Sequence, residues 1–62
     1  MPVKLLAILS LMADGCNNAQ IGDELRISEN TVKKYVLTIF DLMGADNRAH
    51  AVALGFRRGL LK

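Results

Sequence analysis

The 62-residue sequence has one cysteine, one proline, one tyrosine, two phenylalanines and no tryptophan. Each scarcity excludes something. A single thiol, Cys16, cannot form an internal disulfide. With His50 as the sole histidine, the chain falls short of the four ligands that a structural zinc site takes. No metal and no other cofactor is expected. Chains below roughly 70–80 residues usually need such a staple or a partner. Compact helix packing, self-association, or both are what remain. An enzyme cleft of about 300–1,000 Å³ needs walls that so short a chain hardly supplies. No catalytic residue and no small-molecule ligand is therefore expected. A lone free thiol fits a reducing, cytoplasmic setting.

Long apolar runs are absent as well. The uncharged stretch Leu5–Ala13 is far shorter than the ~20 residues of a membrane span. With Lys4 before it, the stretch loosely mimics a secretory leader. The residues after Ala13 continue as a well-formed domain, so that reading is set aside. No linker, repeat or low-complexity tract interrupts the chain, and residues 1–62 are read as one domain. Charge is mildly basic, with eight Lys+Arg against six Asp+Glu for a net +2. That balance is compatible with a nucleic-acid partner without demanding one.

What is present is helical periodicity. Hydrophobic residues make up 52% of the chain and never alternate over a strand's length. A first helix is expected over about Val3–Asp14, with Leu5, Ile8, Leu9 and Met12 on one face. A second, over Ala19–Leu25, is capped by Asn17 or Asn18 and pairs Ile21 with Leu25. A third starts at the N-cap Ser28 and runs over Glu29–Met43 with Val32, Val36, Ile39 and Met43 inward. A fourth begins after Asp46 or Asn47 and runs over Arg48–Arg58 with Ala51, Val52 and Gly55 inward. Gly15, Gly44 and Gly59 come directly after helical stretches, where a helix end favours a residue that accepts positive φ. The fold class is all-α, four helices.

Residues 17–36 have the layout of a helix-turn-helix: a short helix, the turn Arg26–Ile27, and a longer helix from Ser28. In that layout the second helix offers its early residues to the DNA major groove. Small Ala19 and Gly22 would permit close helix approach. Asn17, Asn18 and Gln20 are uncharged donors at a helix start, suited to phosphate oxygens. Asn30, Lys33, Lys34 and Leu37 form one exposed face of the third helix, opposite Val32 and Val36.

The residues carrying a family resemblance are Ile8–Leu9, Leu11, Ala13–Asp14–Gly15, Asn18 and Ile21, then Leu25, Ile27–Ser28, Thr31–Val32–Lys33, Tyr35–Val36 and Ile39. Gly44, Asn47–Arg48, Ala51–Val52 and Gly59–Leu60 complete it. In order, spacing and glycine punctuation the chain resembles the LuxR-type (GerE-type) DNA-binding domain of bacterial transcription regulators, over about residues 8–61. The resemblance implies a tetrahelical domain whose third helix reads DNA and whose fourth forms a dimer contact. By position it implies that Lys33 reaches bases or phosphates in the groove and that Lys34 helps set sequence preference. Thr31 and Tyr35 would touch the backbone, with Tyr35 standing where the family usually has His. Ser28 and Asn30 join Asn17, Asn18 and Gln20 in the DNA-binding set. Ala53, Leu54 and Arg57, on a dimer helix of about residues 48–58, would meet a second copy, with the first helix as a competing surface.

The family usually opens with an acid that pairs with the arginine matched by Arg48. Here that stretch is Pro2-Val3-Lys4-Leu5-Leu6, so Arg48 is expected to pair with Asp46 or to stay solvated. Leu6, Leu11, Leu37, Leu42 and Leu54 are left over from the inward stripes and mark candidate protein-contact surface. The start at Met1 favours a stand-alone regulator over a fragment of a longer one. The expectation is thus sequence-specific binding of double-stranded DNA by a homodimer. The rival is a small module that binds another transcription regulator.

Overall fold

The computed structural model covers residues 1–62 and contains four helices and no strand. They are α1 (Val3–Ala13), α2 (Asn18–Leu25), α3 (Glu29–Met43) and α4 (Arg48–Arg57). Each differs from its expected span by at most a residue. Asp14 and Arg58 are end caps, not helical residues.

Side-chain oxygens fix three of the four starts. Asn17, Ser28 and Asn47 accept from the backbone N–H groups of Gln20, Thr31 and His50, satisfying donors that a helix start leaves unpaired. At α2 the cap is reciprocal, because Gln20 Oε1 accepts from Asn17 N at 2.8 Å. Glycine ends α3: Gly44 takes φ 67°, where a Cβ would be strained.

The core follows the inward stripes, with Leu25 and Val52 only half-buried at its edge. Leu5, Ile8, Leu9 and Met12 of α1 meet Ile21 of α2, Val32, Val36, Ile39 and Met43 of α3, and Ala51 of α4. Ile8, Leu9, Ile21, Val32 and Ile39 are fully buried. Each such side chain contributes about 1.5–3 kcal/mol through removal from water. No charged or polar residue is buried. α1 packs on the other three helices and α3 packs on both α2 and α4, but α2 and α4 do not pack on each other. No helix is long and apolar enough to cross a membrane.

Gly22 sets the joint between α2 and α3. It is buried, and a Cβ there would stand 2.7 Å from the backbone oxygen of Ile27. Its own carbonyl accepts from Ile27 N at 2.9 Å, closing the turn. Ala19 does not share this role: it is exposed at the start of α2, where side chains need not be small. The turn also carries a residue that no glycine rule anticipates. Arg26, the C-cap of α2, has φ 59° and is the one non-glycine residue with positive φ.

The surplus of apolar residues shrinks on folding. Leu11 and Leu54 are half-buried against the core, and Leu6 is half-buried too. Leu37 (63%) and Leu42 (58%) stay exposed, joined by Met1, Val3 and Phe56. The C-terminal turn explains part of this. Leu60 and Leu61 fold back onto Gly55, whose carbonyl accepts from both of their N–H groups, and Leu61 then covers the end of α4.

Candidate nucleic-acid interface

The start of α2 gathers amide side chains whose oxygens are already committed. Asn17 Oδ1 accepts from Gln20 N and Gln20 Oε1 accepts from Asn17 N, both at 2.8 Å. Asn18 Oδ1 accepts from Arg48 Nη1, also at 2.8 Å. A guanidinium has donors only, so it dictates which end of the Asn18 amide faces it. All three side chains consequently turn NH₂ groups away from their intramolecular partners. Their NH₂ groups have no intramolecular partner at this positive end of the α2 dipole.

Arg48 overturns the expectation of an Asp46 pair or a solvated charge. Its second nitrogen, Nη2, donates to the backbone oxygen of Cys16 at 2.8 Å. The guanidinium is therefore anchored twice, at the loop before α2 and on its first residue. Asp46 instead pairs with its own helix start: its N–H donates to His50 Nδ1 at 3.0 Å. Asn17, Asn18, Ala19, Glu29 and Arg48 line a shallow open depression between α2 and the beginning of α3.

The outer face of α3 carries the remaining candidates. Asn30, Lys33 and Lys34 are exposed, and Thr31 and Tyr35 are half-buried. Ser28 caps the helix, and its hydroxyl shares a 2.8 Å hydrogen bond with that of Thr31. Lys33 lies 3.9 Å from Glu29, an exposed i,i+4 ion pair, whereas Lys34 makes no ion pair. Lys34 is thus the freer of the two cations on this face. Lys4 of α1 sits over the Tyr35 ring, 5.5 Å from its centroid, and couples the start of α1 to α3.

The candidate residues of α4 differ in exposure. Ala53 and Arg57 are exposed, and Leu54 divides its surface between the core and solvent. Beside them Phe56 is 49% exposed, an aromatic side chain that helical periodicity does not single out. Glu29 and Arg48 are likewise parts of the depression that the sequence pattern misses. Arg48 could be found only by asking which side chain reaches the α2 start from a distant part of the chain.

Known proteins are similar to this chain in sequence. Residues 6–54 match the family described as bacterial regulatory proteins, luxR family. The chain is 42% identical over 55 residues to the transcriptional regulatory protein DegU of Brevibacillus brevis, covering 89% of this chain and 23% of that protein. It is 45% identical over 47 residues to the "Probable transcriptional regulatory protein SgaR" of Hyphomicrobium methylovorum, covering 76% of this chain and 22% of that protein. To the transcriptional regulatory protein YdfI of Bacillus subtilis it is 33% identical over 58 residues, covering 94% of this chain and 27% of that protein. The chain thus spans about a quarter of the length of each of these relatives.

Proposed function

The chain belongs to the luxR family of bacterial regulatory proteins, and from that premise we propose that it binds double-stranded DNA in transcription regulation. In this reading α3 enters the major groove, with Asn30 and Lys34 toward the bases and Lys33 reaching bases or phosphates. Asn17, Asn18, Gln20 and the first N–H groups of α2 hold phosphates on one flank. Thr31, Tyr35 and the capping Ser28 meet the backbone beside them. The observation that carries the reading is the set of amide groups at the start of α2. Their oxygens are spent internally, on caps and on Arg48, and their donors are left for an anion.

A homodimer on a two-fold symmetric site completes the proposal, with α4 as the contact through Ala53, Leu54 and Arg57. The exposed Phe56 between them supports this surface. A second reading, a module that binds another transcription regulator, is favoured by the exposure of Leu42 at 58%. Selection of bound sequences from a random duplex pool separates the two. A symmetric pair of short half-sites is expected for the DNA-binding homodimer. Recovery of no enriched sequence would favour the interaction module.

A further inference from the structure

Leu37 lies on the same exposed face of α3 as Asn30, Lys33 and Lys34, at i+7, i+4 and i+3 from them, and it is 63% exposed. From this placement we propose that Leu37 is a specificity-determining residue that reads the 5-methyl group of a thymine. The inference rests on the DNA-binding reading above. The thymine methyl is the apolar group that base edges offer in the major groove, and apolar side chains are its partners there.

Position along the helix supports the assignment. From Asn30 to Leu37 the axis advances about 10 Å at 1.5 Å per residue, close to three base-pair steps of about 3.4 Å. Beyond it on the same face comes Asp41, an exposed acid that phosphates repel. Leu37 is therefore the last residue of the face before the electrostatics turn unfavourable. Its surroundings argue against a protein partner. The exposed helix neighbours of Leu37 are Lys33, Lys34, Thr38 and Asp41, and the buried centre of a protein interface is depleted in charges of this kind. Leu42 points elsewhere on the helix and does not extend Leu37 into an apolar patch.

The test couples one side chain to one methyl group. Duplexes carrying the selected site are made with each thymine replaced in turn by deoxyuridine, which removes only the 5-methyl group. Affinities of the intact protein and of Leu37→Ala are then compared, with helicity and melting checked for both. Loss of one buried methyl corresponds to about fourfold in affinity. A single thymine per half-site is expected to show this loss with the intact protein and to show none with Leu37→Ala. Equal sensitivity of the two proteins at every thymine, or none in either, overturns the assignment while leaving DNA binding intact. Abolition of DNA binding by Leu37→Glu alongside undiminished thymine sensitivity in Leu37→Ala would also overturn it. Failure of the intact protein to bind any duplex overturns the DNA-binding reading itself, and this inference with it.

Discussion

Arg48 at the start of α4 donates to Asn18 at the start of α2, Nη1 to Oδ1 at 2.8 Å, across 30 residues of sequence. The two helices have no packing interface of their own. The guanidinium, with its second bond to the Cys16 carbonyl, is the bridge between them. One side chain thereby ties the proposed phosphate-binding end of α2 to the helix proposed for dimer contact, and it orients the Asn18 amide as it does so.

Arg48→Ala should cost about 2–4 kcal/mol, because two charge-assisted hydrogen bonds are lost and a part-buried carbonyl is orphaned. Arg48→Lys should recover less than half of this, since an ammonium cannot reproduce the fork. Urea unfolding measures both. In the protein that remains folded, DNA affinity should fall in Arg48→Ala even where Asn18 is intact. An unchanged affinity would mean that the Asn18 amide needs no orienting.

Gly22→Ala sets two effects against each other. Alanine is favoured over glycine inside a helix by about 1 kcal/mol. The new Cβ, however, would meet the Ile27 backbone oxygen at 2.7 Å, and backbone cannot swing aside as a flexible side-chain tip can. Overpacking of this kind costs about 1–3 kcal/mol. A net loss of stability is expected, together with altered α2–α3 geometry and weaker DNA binding. A stabilised variant would mean that the turn opens freely.

Much of this framework is legible in the chain. Asn17, Ser28 and Asn47 are short polar residues ahead of apolar periodicity, and capping chemistry places three helix starts to within a residue, leaving Asn17 against Asn18 and Asp46 against Asn47 for the fold to decide. The core emerges from i, i+3, i+4 spacing in Leu5, Ile8, Leu9 and Met12 and in Val32, Val36, Ile39 and Met43. Tertiary information is not legible. Nothing local ties Arg48 to Asn18, so the nearest acid, Asp46, is the natural expectation. Ala19 and Gly22 are both small, and only the fold tells which one faces a backbone. The positive φ of Arg26 has no residue signature, because the turn imposes it. Leu11 and Leu54 fall outside ideal stripes, yet both are half-buried against the core.

Glu29→Gln should strengthen DNA binding. Glu29 lines the depression beside Asn18 and Arg48 and shares the charge of Lys33 at 3.9 Å. Removing the acid unpairs Lys33 and lifts the repulsion between Glu29 and the phosphates, so affinity should rise most at low salt. Stability should drop by only a few tenths of a kcal/mol, from losing an acid in the first turn of α3. Weaker binding would mean that Glu29 accepts a hydrogen bond from the DNA bases.

Ala53→Glu probes the dimer surface better than a change at Leu54, because Ala53 is exposed while Leu54 also packs on the core. Sedimentation should show a shift from dimer toward monomer with helicity retained. A dimer undisturbed by this change would assign the contact to α1.

The most direct test is a titration of the chain against random-sequence duplex DNA across a range of salt concentrations, repeated with a Lys33→Ala, Lys34→Ala double variant. Binding at low salt should weaken linearly in log K against log salt. The double variant should remain folded, and its slope should be shallower, because two cations have left the exposed face of α3. Undetectable binding by the unaltered chain at the lowest salt, or slopes identical in the two proteins, would contradict DNA binding through the exposed face of α3.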